Sequence, residues 1–272
     1  MAHPYHGLLI DELPSLRFKM VEDFTRRFTG RALFYSTSRP SYPSRILDIL
    51  RTEIGFDQTY VIADIGSGTG LLSELFLTNG NRVIGVEPND DMRLFAQNKL
   101  GKSQKFLNVK GTAENTGLES ASIDLVTVGQ ALHWFDCEAS SREFARILKA
   151  NGHVCIIYND RNHDDSFMKD YDRIVSKYAR NRANVPSLDD AYLSRFFKKR
   201  KYSRFSLPNE QFLDFEGLLG RMTSASYMPG PADDKLFAGL KEDVTHVFKE
   251  HAKLGKIRML YDTIVFLGKI LG

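Results

Sequence analysis

VIADIGSGTG, residues 61–70, passes without a break from an apolar run into glycines at every second position. An apolar run of this length that ends in glycine predicts a strand buried on both faces, as strands of a parallel sheet are. Glycines at 66, 68 and 70 let the chain turn sharply and let a ligand approach the backbone. The next residues, GLLSELFLTNG (70–80), predict a helix that closes at Gly80.

Downstream, the alternation repeats. RVIGVEP (82–88) predicts a second strand stopped by Pro88, and Asp90–Lys99 a helix whose acidic start suits a helix N-terminus. FLNVKG (106–111) and SIDLVTVGQ (122–130) predict the third and fourth strands, Ala139–Leu148 a helix, and GHVCIIY (152–158) a fifth strand. Strands alternating with helices at this spacing predict βαβ units and a doubly wound, mostly parallel sheet with helices on both faces.

Upstream, a helix is expected from about Ser44 to Ile54, with Ser44 as its cap. Before it lies an irregular lead-in broken by Pro4 and Pro14, with a short helix around Met20–Phe28. The segment FTGRALFYSTSRPSYP follows, in which Pro40 and Pro43 forbid a regular element. After Tyr158 the pattern changes. Helices are expected over Asp165–Ala179, Leu188–Phe197, Phe215–Met222 and Asp234–Leu254, with strand character at 202–215 and a closing strand at 258–270. The expected organisation is a lead-in and lid (1–43), a core (44–160), a cap over the site (161–235), and a returning helix and strand (236–272).

A chain of 272 residues with 26% charged residues and a net charge of +3 has the balance of an ordinary globular protein, and it lacks the basic stripe of a nucleic-acid binder. The run Lys198-Lys199-Arg200-Lys201 reads as a solvated helix end or turn. Cys137 and Cys155 stand in neither a CxxC nor a metal-ligand spacing, which argues against a disulfide framework and a zinc site; Cys155, inside an apolar run, reads as a core residue. No cluster of carboxylates and histidines has ligand spacing, so no metal is expected. Nothing in the sequence reads as a secretory leader or a membrane span, and the expectation is a cytoplasmic monomer or weak dimer.

Glu87 ends the second strand, where a carboxylate can accept the ribose hydroxyls of an adenosine. A dinucleotide fingerprint would place its third glycine at position 71, which is Leu71. Asp64 also puts a carboxylate where a pyrophosphate would be unwelcome and an ammonium welcome. Both residues argue against an NAD-dependent oxidoreductase.

On these motifs the sequence resembles the class I S-adenosylmethionine-dependent methyltransferases over roughly residues 30–160. ADIGSGTG (63–70) resembles the first motif of that class and GVEPNDDM (85–92) the second. GTAEN (111–115) is similar to the segment along the adenine, and VGQALHWFD (128–136) to the fourth motif. Tyr35 to Pro43, read as YxxxRPxYP, together with ALHWF, SASYMPG (224–230) and YDTIVFLGK, is similar to the trans-aconitate-methyltransferase-like group.

The resemblance implies a seven-stranded sheet whose last strand inserts antiparallel. It implies S-adenosyl-L-methionine as cofactor, its methionine part wrapped by Gly66, Gly68 and Gly70 and its amine held by Asp64. Glu87 would take the ribose, with Pro88 and Met92 packed on ribose or adenine. Ala113 and Glu114 would stand at the adenine edge, and Gln130 and Ala131 under the sulfonium.

The acceptor implied is a small molecule, with a carboxylic acid favoured; N- or C-methylation of another metabolite and a silent cofactor-binding module are the alternatives. A carboxylate needs a cation to hold it and no base. Candidate clamps are Arg39, Arg161 and Arg221, with Tyr35, Tyr158, Tyr227 and Trp134 as pocket-lining candidates. His133, after the fourth strand, is the candidate base; its plainer reading is a hydrogen-bonding wall.

Overall fold

The computed structural model describes residues 38–270, apart from 164–165, 181–188, 226 and 232. The expected helix at 20–28, the residue Tyr35 and most of the lead-in lie outside the described residues. Seven strands form one sheet: β1 (Val61–Ile65), β2 (Arg82–Val86), β3 (Phe106–Val109), β4 (Ile123–Gly129), β5 (Leu148–Arg161), β6 (Tyr202–Leu213) and β7 (Ile257–Gly268). Their order is β3-β2-β1-β4-β5-β7-β6. The pairs from β3 to β5 are parallel, and β7 pairs antiparallel with both β5 and β6. The closing strand therefore inserts between two others, as expected.

Successive strand residues face opposite sides, so the apolar runs feed two cores. Ala63, Ile65, Val126, Val128, Val154 and Ile156 pack on one face with Phe144 and Ile147 of α4 (Cys137–Ile147) and Phe196 of α6 (Asp190–Phe196). Ile62, Leu125, Cys155 and Ile157 pack on the other with Ile46 and Leu50 of α1 (Arg45–Ile54) and Leu72 and Phe76 of α2 (Leu71–Asn79). Each such fully buried side chain contributes roughly 1.5–3 kcal/mol of transfer free energy. Cys155 is a core residue, and its thiol is pushed up to about 12 by burial.

Two details differ from the sequence expectation. Ser44 makes no side-chain cap on α1, whereas Asn89 caps α3 (Asp90–Leu100) and Asp136 caps α4 by accepting backbone N–H groups. β5 runs to Arg161 and pairs there with Tyr261, well past the predicted end at Tyr158. The extension exists because β7 supplies a hydrogen-bonding partner that a strand read alone does not reveal.

The stretch expected to be a cap is two things. β6 is a full partner of β7, from Tyr202 opposite Gly268 to Leu213 opposite Ile257. Helices α5 (Ser166–Tyr178) and α7 (Phe215–Thr223) pack instead, together with the returning helix α8 (Asp234–His251), around Met259 and Tyr261 at the start of β7. The Lys198–Lys201 run is an exposed turn after α6, as expected.

Candidate active site

The site is built where the strand order reverses, at the carboxyl ends of β1, β2 and β4, the place where open α/β sheets bind ligands. The Val86 carbonyl accepts the N–H groups of Gly66 (2.8 Å) and Ser67 (3.2 Å), tying the glycine turn to β2. Gly66 has φ +69°, and a Cβ there would stand 2.8 Å from the Ala131 Cβ, so the position admits no side chain. Glu87 accepts the Gly68 N–H (2.9 Å) with one carboxylate oxygen and the Asn89 N–H (2.9 Å) with the other. Burial raises its pKa.

A cavity of about 160 Å³ opens beside the turn. Gly66, Gly68, Glu87, Pro88, Met92, Ala113, Glu114, Gln130 and Ala131 line it, joined by Thr112, Gly129, Trp134 and Phe135. Nine of the eleven residues expected at the cofactor are thereby brought together. Gly70 is not among them: it starts α2, and a Cβ there would meet Leu100 Cδ1 at 2.5 Å. Its tightness serves the packing of α2 on α3.

Asp64 lines a narrower annex of about 30 Å³ with Arg39, Pro40, Tyr42, Ser67, Thr69, Asn159 and Arg221. Its carboxylate is buried and accepts the hydroxyls of Ser73 (2.6 Å) and Thr127 (3.2 Å). With no cation paired to it among the described residues, burial pushes its pKa up to about 6. The Ser67 and Thr69 hydroxyls are buried there without a hydrogen-bond partner.

Arg39 donates to Ser224 Oγ (3.1 Å) and to the Ser224 carbonyl (3.3 Å). Arg221, on α7, is 7% exposed; its Nε donates to the Tyr261 hydroxyl at 3.2 Å, and the guanidinium lies 6.0 Å from that ring centre. No carboxylate lies within ion-pair distance of Arg221 among the described residues. Arg161 is different: it pairs with Asp172 at 3.2 Å, lies over the Tyr171 ring and lines neither pocket. Tyr227 packs with the α5–α7–α8 cluster and also lines neither.

His133 lies in a 3₁₀ turn, Leu132–Trp134, its ring 4.6 Å from that of Trp134. Tyr158 is buried below it, the phenol oxygen 3.0 Å from His133 Nδ1. Burial, helped by the charge of Arg39, holds the imidazole down to about 4.

Two supports escaped the sequence reading. Glu143 of α4 accepts the Thr116 N–H (2.9 Å) and Arg146 Nε–H (2.7 Å), anchoring the loop that begins at Thr112 and Ala113; Arg146 holds its pKa down to about 2. The Tyr192 hydroxyl lies 3.0 Å from the carbonyls of both Leu132 and Phe135, fixing the turn that carries His133 and Trp134. Neither has a local motif. Asp170 also gathers with Glu250 and His251, 80 and 81 residues further along the chain, which sequence spacing could not show; Asp170 there already pairs with His251 (2.8 Å) and Arg173 (2.7 Å).

Residues 63–156 match the methyltransferase domain family. Over 241 residues the chain is 28% identical to a methyltransferase-like protein of Schizosaccharomyces pombe whose own activity is uncharacterised, covering 85% of this chain and 91% of the relative. The chain is an S-adenosylmethionine-dependent methyltransferase. This methyltransferase is also 30% identical over 124 residues to CRG1 of Saccharomyces cerevisiae, provisionally named an S-adenosylmethionine-dependent methyltransferase, over 43% of this chain and 42% of that one. Its fold matches that of a proposed type II methyltransferase from Anaeromyxobacter dehalogenans, with TM-score 0.63, 18% identity and coverage of 86% and 98%.

The residues present fit S-adenosyl-L-methionine. A buried carboxylate with no cation paired to it among the described residues (Asp64) and two unpartnered hydroxyls (Ser67 and Thr69) suit an amino-acid tail; the apolar walls Pro88, Met92, Ala113 and Phe135 suit an adenine. When bound, the cofactor supplies a methyl group already activated by its sulfonium. The protein's own task is to align the acceptor and exclude water, and alignment can supply roughly 7–11 kcal/mol.

Proposed function

We propose that this methyltransferase O-methylates a small carboxylic acid. The observation that carries the reading is Arg221, a buried guanidinium with no carboxylate partner among the described residues, facing the annex beside Arg39. A buried cation left without an anion costs several kcal/mol, so such a site is built for one.

The state of His133 points the same way. Held near 4, it is a weak base, and a carboxylate is the acceptor that needs none. The resemblance of the 35–43 and 224–230 segments to the trans-aconitate-methyltransferase-like group adds to this reading. In it, Gly66, Gly68, Glu87, Pro88, Met92, Ala113, Glu114, Gln130 and Ala131 hold the cofactor, and α5, α7 and α8 form the cap.

The test is release of S-adenosylhomocysteine in the presence of a panel of aliphatic mono-, di- and tricarboxylic acids, with alcohols and amines of matched shape. Turnover confined to acids, with an ester as product, supports the proposal. Turnover of alcohols or amines alone would replace it, and binding of cofactor with no turnover on any arm would leave a silent binding module.

A further inference from the structure

The hydrogen bonds around Tyr158 decide which nitrogen of His133 carries the proton. The phenol oxygen accepts the His133 backbone N–H at 3.3 Å and lies 3.0 Å from Nδ1 of the same residue. A phenol has one proton to donate. With the backbone N–H already directed at the oxygen, the hydroxyl proton is left to point at Nδ1, which must then accept. Were Nδ1 the protonated nitrogen, two N–H donors would converge on one oxygen and the buried phenol proton would have no acceptor among the described residues, a cost of about 1–3 kcal/mol. Burial also raises the Tyr158 pKa, so the phenol keeps its proton.

The other ring nitrogen, Nε2, has no partner among the described residues. His133 packs on Trp134, which lines the cavity, and its charge state feels Arg39 of the annex. We infer that Tyr158 locks His133 as the Nε2–H tautomer, so that His133 presents a fixed hydrogen-bond donor to an oxygen of the acceptor and takes no proton from it. His133 itself is among the lining residues of neither pocket, its neighbour Trp134 lining the cavity, and Tyr158 is a positioning residue that acts through His133. This inference deepens the carboxylic-acid reading and rests on it for the identity of the oxygen. The tautomer itself does not depend on that reading.

The experiment is therefore chosen to need no acceptor. The full chain, labelled with ¹⁵N-histidine, is examined by long-range ¹H–¹⁵N NMR between about pH 6 and 8, alone and with S-adenosylhomocysteine. The expected result is one neutral His133 tautomer, protonated at Nε2 and bare at Nδ1, unchanged across that range. In Tyr158→Phe, Nδ1 loses its donor and the Nδ1–H form becomes populated. The lock is overturned by an Nδ1–H signal in wild type, by protonation of the ring within that range, or by a Tyr158→Phe spectrum identical to wild type. Should Tyr158→Phe fail to fold, the wild-type spectrum decides alone. Loss of the tautomer result with turnover on acids intact would sink this inference and spare the carboxylic-acid reading; the opposite pattern would do the reverse.

Discussion

Glu87 reaches back from the end of β2 to accept the Gly68 N–H at 2.9 Å, so the carboxylate expected to meet the ribose also shapes the glycine turn. Substitution at 87 should therefore act twice. Glu87→Ala is expected to weaken S-adenosylhomocysteine binding by about 1–3 kcal/mol in calorimetric titration, as loss of a buried charged hydrogen bond does. Glu87→Gln keeps one acceptor oxygen for the turn and should lose less. Equal affinity in wild type and Glu87→Ala would show that the cofactor sits elsewhere.

Asp64 gives the methyltransferase a pH-dependent stability of definite sign. Its folded pKa, about 6, lies above the unfolded value near 3.8, so the folded state binds the extra proton between those limits. Stability is thus greater below about pH 4 on account of this group and falls by about 3 kcal/mol as pH rises through 6. Asp64→Asn should flatten that part of the profile, as measured by urea unfolding from pH 4 to 7. The cofactor's ammonium favours the ionised carboxylate, so wild-type affinity for S-adenosylhomocysteine should rise over the same interval while the variant's stays level.

Arg221 poses function against stability. Arg221→Met removes an unmatched buried cation at similar volume, and the apoprotein should unfold at the same temperature or higher. Acid acceptors should then show KM raised about tenfold or more, corresponding to at least ~1.4 kcal/mol of lost ion pairing. A marked fall in the unfolding temperature would mean that the guanidinium is held by partners it already has.

His133→Gln keeps an N–H close to the place of Nε2. With a donor role, kcat/KM on an acid should stay within about tenfold of wild type, the worth of one neutral hydrogen bond. Removal of a general base would cost 10²–10⁴-fold. His133→Ala, compared on the same acid, sets the scale.

Gly66→Ala tests the turn. The new Cβ would press on Ala131 in a left-handed backbone conformation, so both stability and S-adenosylhomocysteine binding should fall, stability by about 1–3 kcal/mol. Thermal unfolding with and without ligand separates the two losses.

The parallel half of the sheet was legible because its strands are buried on both faces and end at glycine or proline, as at Ile65–Gly66 and Val86–Pro88. The cofactor residues were legible for a related reason: turns after strands carry local motifs. β6 was misplaced into the cap because its burial alternates and its fate depends on β7, more than 40 residues later. Among the arginines, nothing local distinguishes Arg221 from Arg161; the difference is that Asp172 lies within reach of Arg161, and no carboxylate among the described residues lies within reach of Arg221. Glu143 and Tyr192 act only through residues far along the chain, and so left no signal to read.

β7 is made after every other strand and yet sits between two of them, pairing with β5 from Val154 to Arg161 and with β6 along its whole length. During synthesis β6 emerges with no edge to join, and β5 stands with one side open, both capable of pairing with a neighbouring chain. The ribosome must release Ile257–Gly268 before either edge is closed. A nascent chain stalled just short of that segment is therefore a substrate for chaperones and proteases, and quality control of this enzyme is written into the position of one strand.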